Sequence, residues 1–218
     1  MKIGILGTGM VGNTLGTSLI AKGHEVKMGS RDAINEKASG WTKSNGKNAS
    51  QGTFAEAAQF GDVIFNCTKG EHSLEALTLA GEHNLAEKIL VDVANPLDFS
   101  KGMPPTLSLV NDTSLGETIQ NTFAKTKVVK ALNTLTCSLM VDATRVANGD
   151  HNLFICGNDA DAKQQVRELL HDNFNWKAEN IIDLGDITNS RATEQLLPIW
   201  IRLWGVLGTA DFNFKIVR

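Results

Sequence analysis

Polar and apolar positions follow two periodicities along the chain. Short apolar runs rich in β-branched residues are typical of buried strands, and stretches with helical spacing follow most of them. The predicted strands cover residues 2–6, 25–31, 48–51, 62–67, 88–93, 128–132, 153–156 and 181–184. The predicted helices begin in the glycine-rich segment after residue 6, near 33, at Thr53 with Glu56 in a capping box, after Thr68, near 138, at 159 and at 190. This alternation predicts an α/β fold with a doubly wound parallel sheet of the Rossmann type.

Three closely spaced glycines follow the first predicted strand. Gly7 permits a sharp reversal, Gly9 lets a ligand approach the backbone, and Gly12 lets the next helix pack on the strand. The N-terminus of that helix presents unpaired N–H groups and a partial positive charge, which suit a pyrophosphate. An ordinary glycine-rich turn is the alternative. The strand before the motif and the helix after it favour dinucleotide binding.

The end of the second strand indicates which dinucleotide binds. NAD-binding units carry an acidic residue there, whereas this chain has Ser30 and Arg31. A hydroxyl and a guanidinium suit the 2′-phosphate of NADP, and Thr8 of the glycine turn could join them. Alternatively, Ser30 caps the next helix and Arg31 is a solvated charge. We interpret Asp32 as a residue of that helix's first turn and predict NADP.

In a parallel sheet, ligands bind beyond the carboxyl ends of the strands. Thr68 follows the fourth strand and could bind the pyrophosphate or the nicotinamide ribose. Asn95 and Pro96 follow the fifth strand and could form a rigid loop against the nicotinamide, although Asn-Pro is also a common turn. Two further residues at these strand ends complete the predicted cofactor site: Lys69 and Ala94.

The composition excludes several classes of protein. A net charge of −3 gives no sign of nucleic-acid binding, and no segment is long and apolar enough to span a membrane. The first strand begins too early for a signal peptide, and the three cysteines form no zinc or disulfide pattern, so we expect a cytoplasmic protein without a metal. The chain has no tyrosine, which excludes the Tyr-dependent chemistry of short-chain dehydrogenases.

A general acid is also difficult to find among the five histidines. His72 is more typical of a capping or solvated residue than of a catalyst, and the other four are predicted at turns or polar helix surfaces. The last predicted helix has an apolar surface wider than one buried stripe requires, which favours a homodimer, although this surface could also pack within the chain. Its apolar residues are Leu196, Leu197, Ile199, Trp200, Leu203 and Trp204.

Several segments, in order along nearly the whole chain, resemble one family: the NADPH-dependent reductases of the deazaflavin coenzyme F-420 (F420) and the related reductase domain of six-transmembrane epithelial metalloreductases. These segments are GTGMVGNTLG, GHEVKMGSR, VDVANPL, KALNT, CGND and DLGDITNSRATEQLLPIW. The resemblance implies a Rossmann domain over residues 1–135 that binds NADP. It also implies a small C-terminal α/β extension over residues 136–218, which we expect to complete the acceptor cleft and to form a dimer interface.

The activity that the resemblance implies is hydride transfer between the nicotinamide and a second ring, either F420 or a flavin such as FMN or FAD. It places Thr8, Ser30 and Arg31 at the 2′-phosphate. It places Gly7, Gly9 and the amides of Met10 and Val11 at the pyrophosphate, and Ala131, Asn133, Asn95 and Pro96 along the acceptor cleft. The F420 reductases of methanogens resemble KALHT at the KALNT segment, with His where this chain has Asn133, whereas the metalloreductases share the Asn.

Two other functions stay open at this point. Reductases of small imine or carbonyl substrates share a similar N-terminal half, but they generally need a larger C-terminal domain. A regulator that senses NADPH without turnover would also have a cofactor site, and it would not need a catalytic acid.

Overall fold

The computed structural model describes residues 1–218 and contains one main sheet of eight strands. These strands are β1 (Lys2–Leu6), β2 (Glu25–Ser30), β3 (Ala49–Thr53), β4 (Val63–Asn66), β5 (Ile89–Asp92), β8 (Lys127–Lys130), β9 (Leu153–Gly157) and β10 (Ile181–Asp183). Their order is β10-β9-β8-β5-β4-β1-β2-β3. A separate antiparallel hairpin joins β6 (Leu97–Asp98) to β7 (Thr106–Leu107). The predicted Rossmann α/β fold is confirmed.

Helices cover both faces of the sheet. They are α1 (Met10–Ala21), α2 (Glu36–Asn45), α3 (Phe54–Phe60), α4 (Gly70–Ala80), α5 (Glu82–Leu85), α6 (Leu115–Thr122), α7 (Cys137–Met140), α8 (Ala160–Phe174), α9 (Ser190–Gln195) and α10 (Leu197–Leu207). One buried cluster lies under α1, α2 and α8, and a second lies under α3, α4 and α6. Each fully buried side chain such as Phe65 contributes about 1.5–3 kcal/mol by leaving water.

Several element boundaries differ from the sequence prediction. Helix α2 begins at Glu36 rather than near residue 33, because Asn35 caps it by accepting hydrogen bonds from two backbone N–H groups. Asp32 therefore lies outside that helix, and Ser30 does not cap it. The predicted capping box of Thr53 and Glu56 is present at the start of α3.

The C-terminal part of the sheet departs from the parallel pattern. Strand β9 pairs antiparallel with β8, and β10 runs parallel to β9. The predicted final helix is divided at Leu196, since Pro198 has no N–H group to donate to the preceding turn. No helix in the structure combines the length and the apolarity needed to cross a bilayer.

Candidate cofactor site

The three glycines of the first turn have different surroundings. Gly7 has φ +116°, and a Cβ there would lie 2.7 Å from the Cys67 carbonyl oxygen. A Cβ on Gly12 would lie 2.4 Å from the Gly7 carbonyl oxygen. Both positions therefore require glycine for folding. A Cβ on Gly9 would meet nothing within 4 Å, so the space above Gly9 is open to a ligand.

The N-terminus of α1 borders this open space. Gly9 is its N-cap, no side chain caps the helix, and its first turn contains no acidic residue. Met10 is 74% exposed, and Val11 is half-buried. Because the first N–H groups of a helix have no partner within it, this end offers donors and a partial positive charge to an anion.

Residues predicted to bind the 2′-phosphate lie beside the turn. Ser30 is buried, and its hydroxyl donates to the carbonyl oxygen of Asp32 at 2.6 Å. Thr8 is half-buried and lines an open cavity of about 870 Å³ between α1 and α2. Arg31 donates to Glu75 of α4 through Nε at 3.2 Å and Nη2 at 3.0 Å.

This ion pair joins the segment after β2 to helix α4. Arg31 follows β2 and Glu75 lies on the helix after β4, while β1 lies between β2 and β4 in the sheet. The hydrogen bond and charge of Glu75 raise the pKa of Arg31, and Arg31 lowers the pKa of Glu75 in the same way. Both side chains are more than half exposed, and exposed pairs contribute little to stability. The Arg31 guanidinium is therefore accessible to solvent and is held by an exposed carboxylate.

A smaller cavity of about 170 Å³ lies beyond the ends of β4 and β5. Its lining includes Val11, Thr68, Lys69, Ala94 and Asn95. The start of α4 lies tightly against the Asn95–Pro96 loop, since a Cβ on Gly70 would lie 2.1 Å from the Asn95 carbonyl oxygen. The structure thus brings together the predicted residues from three separate parts of the chain.

The two asparagines predicted at the acceptor cleft bind each other. Asn95 Nδ2 donates to the Asn133 carbonyl oxygen at 2.7 Å, and Asn133 Nδ2 donates to Asn95 Oδ1 at 2.9 Å. Ala131 is buried beside them, and Leu132 adopts φ +63°, which is rare for a branched residue. These bonds fix the loop after β8 to the loop after β5, which includes Pro96.

A buried polar network beneath the small cavity was not predicted. Its centre is Lys130 Nζ, which donates to Asp92 Oδ2 at 2.8 Å, Glu194 Oε1 at 2.7 Å and the Ala94 carbonyl oxygen at 2.6 Å. Desolvation lowers the pKa of Lys130, but the two carboxylates outweigh it and leave the pKa raised. Glu194 also accepts hydrogen bonds from the first backbone N–H groups of α6.

A signal for this network was present in the sequence. Asn66 and Asp92 each end an otherwise apolar strand, and Lys130 ends β8 after two buried valines. The sheet register places Asn66 beside Asp92 and Asp92 beside Lys130. A polar residue in the last position of several buried strands is therefore the feature that sequence analysis could have used.

The lining of the small cavity contains the exposed side chains of Lys69 and Glu71 and no histidine. His72 lies on the surface of α4 near Glu71 and Glu75, and does not line the cavity. His151 lies at a bend before β9, in keeping with the predicted turn, and it is buried, bonded to the Ala143 carbonyl oxygen and packed edge-on against Trp176. Burial raises the pKa of the Cys67 thiol, with a smaller effect from Asp92.

Known proteins share both the sequence and the fold of this chain. A family model described as NADP oxidoreductase, coenzyme F420-dependent, matches residues 2–96. The F420-dependent NADP reductase of Methanocaldococcus jannaschii is 32% identical over 212 residues, covering 93% of this chain and 92% of the relative. Metalloreductase STEAP3 of Rattus norvegicus is 31% identical over 204 residues, covering 91% of this chain but only 38% of that protein.

Solved structures agree with these relatives. A candidate F420-dependent NADP reductase from Arthrobacter sp. FB24 is 53% identical, with a TM-score of 0.93 and full coverage of both chains. An imine reductase from Myxococcus stipitatus has a TM-score of 0.61 at 16% identity, covers 95% of this chain and 63% of that one, and shares the fold alone. The resemblance found in the sequence is confirmed: the chain belongs to the family of coenzyme F420-dependent NADP oxidoreductases and is an NADP-dependent oxidoreductase.

Proposed function

We propose that the protein transfers a hydride between NADP(H) and a ring-shaped acceptor, either F420 or a flavin such as FMN or FAD. The observation that carries the proposal is a cofactor cleft without a positioned acid. The titratable groups that line the small cavity are Cys67, Lys69 and Glu71, and the last two are exposed and 4.0 Å apart. Carbonyl reduction needs an acid to protonate the developing alkoxide, whereas a flavin-type ring accepts a hydride without forming one.

The residues of the chain hold and orient the cofactor. In this proposal, the open face of Gly9 and the amides of Met10 and Val11 bind the pyrophosphate, and Gly7 sets the turn. Arg31 leaves Glu75 to bind the 2′-phosphate, with Ser30 and Thr8 beside it. NADPH supplies the hydride when bound, and the protein contributes position and the exclusion of water.

The acceptor is proposed to bind beside the linked loops after β5 and β8. Ala131, Asn133, Asn95 and Pro96 lie there, and the Asn95–Asn133 hydrogen bonds make this wall rigid. The relative named an F420-dependent NADP reductase supports F420 as the acceptor. Asn133 is the position where this chain differs from the KALHT pattern.

The test is oxidation of NADPH by the purified protein, followed by loss of its absorbance, against F420, FMN, FAD and a ferric chelate. The same panel with NADH measures cofactor preference. Turnover with one ring acceptor and a strong preference for NADPH would support the proposal. Tight NADPH binding without turnover on the panel would refute it in favour of a sensor, and turnover only with an imine or carbonyl would favour the other enzyme class.

We also propose a homodimer formed through α10. Its apolar residues Ile199, Trp204, Val206 and Leu207 are between 44% and 82% exposed, and the Trp200 indole N–H is buried without a partner. A second copy would cover the exposed apolar side chains. Val206→Glu should shift the mass measured by light scattering from dimer to monomer, whereas Leu79→Glu on α4 should not. A monomeric wild-type protein would refute this proposal.

Two further predictions stay proposals. The division into a cofactor domain over residues 1–135 and an extension over 136–218 is supported by the change from parallel to antiparallel pairing between β8 and β9. A cytoplasmic location is likewise a proposal, and fractionation of cells that express the tagged chain would test it.

A further inference from the structure

A chain of buried hydrogen bonds runs from Lys130 to the small cavity, and each bond in it has a defined direction. Lys130 ends β8, Asp92 ends β5 and Asn66 ends β4, so the chain crosses three neighbouring strands at their carboxyl ends. All three residues are completely buried. The chain ends at Thr68, which lines the cavity where we propose that the nicotinamide half binds.

Lys130 sets the direction at the first step. Its three N–H groups are all donated, to Asp92, to Glu194 and to the Ala94 carbonyl oxygen. An ammonium group cannot accept a hydrogen bond, so Asp92 must act as the acceptor here. Asp92 also accepts a bond from the Ala94 N–H at 3.3 Å. Its remaining partner, Asn66 at 2.8 Å, therefore has to be a donor.

The orientation of the Asn66 amide follows from this requirement. Its Nδ2 faces Asp92 Oδ1 and also donates to Ser73 Oγ at 3.2 Å. Its Oδ1 then faces Thr68 and accepts bonds from the Thr68 hydroxyl at 2.7 Å and from the Thr68 backbone N–H at 3.3 Å. The opposite orientation would place two acceptors, Asn66 Oδ1 and the Asp92 carboxylate, against each other.

The hydroxyl of Thr68 is thus left without a proton for a ligand. Its only hydrogen is donated to Asn66 at 2.7 Å. Ser73 Oγ lies 2.8 Å from the Thr68 oxygen, and its own hydrogen can go to Thr68 or to the Lys69 carbonyl oxygen at 3.3 Å. Thr68 can offer a lone pair only. It is therefore unsuited to phosphate oxygens, one of the two roles predicted from the sequence, and suited to a ligand that donates.

We infer that Thr68 is a specificity residue that accepts a hydrogen bond from a donor on the nicotinamide half of the cofactor, and that Lys130 is a positioning residue that imposes this polarity through Asp92 and Asn66. The inference rests on the proposed NADP site. That half of the cofactor carries two kinds of donor, the carboxamide N–H and the ribose hydroxyls, and the experiment distinguishes them.

The first experiment measures dissociation constants for wild type, Thr68→Val and Thr68→Ser. Loss of one hydrogen bond should weaken NADPH binding by about tenfold in Thr68→Val, and Thr68→Ser should restore most of it. Binding of 2′,5′-ADP, which lacks the nicotinamide nucleoside, should be equal in all three proteins. If wild type does not bind NADPH, the proposed function fails. If Thr68→Val binds NADPH as wild type does, or loses 2′,5′-ADP equally, this inference fails.

The acetylpyridine analogue of NADPH identifies the donor, because a methyl group replaces its amide nitrogen. If the donor is the carboxamide, Thr68→Val should bind the analogue as well as wild type does. If it is a ribose hydroxyl, the loss should be about tenfold with both ligands. Either result supports an acceptor role for Thr68.

The second experiment tests the positioning role. Asn66→Ala removes the acceptor that holds the Thr68 proton but leaves the Lys130–Asp92 pair in place. The Thr68 hydroxyl is then no longer held as an acceptor, so the loss caused by Thr68→Val should be smaller in this background than in wild type. Lys130→Met should have the same effect if it folds, with 2′,5′-ADP binding as the check on folding. If Thr68→Val weakens NADPH binding as much in the Asn66→Ala background as in wild type, the buried hydrogen bonds do not determine whether Thr68 donates or accepts.

Discussion

Replacing Gly9 should separate cofactor binding from folding. The backbone there has φ −76° and ψ −177°, which any residue can adopt, and an added Cβ meets nothing within 4 Å. The Cβ of Gly9→Val therefore introduces no clash in the folded protein. A β-branched N-cap is less favourable than glycine, but the loss of unfolded-state freedom offsets part of this, so stability should change by about 1 kcal/mol or less.

The effect on binding should be much larger. The valine side chain would occupy the open space through which a pyrophosphate approaches the N-terminus of α1. Two hydrogen bonds from backbone N–H groups to a charged phosphate are worth about 1.5–3 kcal/mol each. Their loss corresponds to about a hundredfold to ten-thousandfold in the dissociation constant, for NADPH and NADH alike.

Gly12→Ala provides the contrasting variant. Its Cβ would lie 2.4 Å from a backbone oxygen of the same turn, so it should lower the melting temperature clearly. Thermal unfolding and fluorescence titration with both dinucleotides would measure the two effects. A Gly9→Val protein that is stable and binds NADPH normally would refute the pyrophosphate assignment. A strongly destabilised Gly9→Val would contradict the open environment of this residue.

Three more predictions concern charge and burial. Arg31→Ala should weaken NADPH binding by about tenfold or more and leave NADH binding unchanged in the same titration; equal losses would contradict the 2′-phosphate assignment. Burial raises the pKa of Cys156 to about 12, so its thiol should resist iodoacetamide at neutral pH in the folded protein and react in urea, as read by mass spectrometry. The hydrogen bond from Arg191 lowers the pKa of Glu117 below its ordinary 4.5, so its stabilising effect is present above that value and is lost as the pH falls through the folded pKa. The urea midpoint of Glu117→Gln should therefore fall less between pH 7 and 3 than that of wild type, and parallel curves would refute this.

The alternating strands and helices of the fold could be predicted from the sequence. Helix α6 and the direction of β9, which depart from this alternation, were not predicted. Alternating strand and helix patterns predicted the sheet because central strands such as β4 and β5 contain short continuous apolar runs. Helix α6 was missed although Ser114 and Glu117 at its start match a capping signal. The antiparallel direction of β9 could not be predicted, since strand direction depends on how the preceding segment returns to the sheet rather than on the strand's own residues.

The candidate site was predictable where backbone geometry requires particular residues. Glycines at a tight turn, and Ser30 with Arg31 at a strand end, are local signals that one sequence can show. The partners of these residues were not predictable, because Glu75 and Glu194 are distant along the chain from the groups that they bind. Ion pairs of this kind depend on three-dimensional packing, so only the structure could show that Arg31 has a carboxylate partner.

The ion pair between Lys130 and Glu194 crosses the predicted boundary at residue 135. Glu194 also accepts the first N–H groups of α6, so one carboxylate from the extension satisfies a buried ammonium group and a buried helix end in the cofactor-binding part. Removing one partner of a buried pair costs about 3–5 kcal/mol, a large fraction of the stability of an ordinary domain. We therefore propose that residues 136–218 fold together with residues 1–135. In this proposal, Glu194 of the extension helps to keep Lys130 charged beneath the small cavity. The acceptor role that we infer for Thr68 therefore depends on a residue from the C-terminal part of the chain.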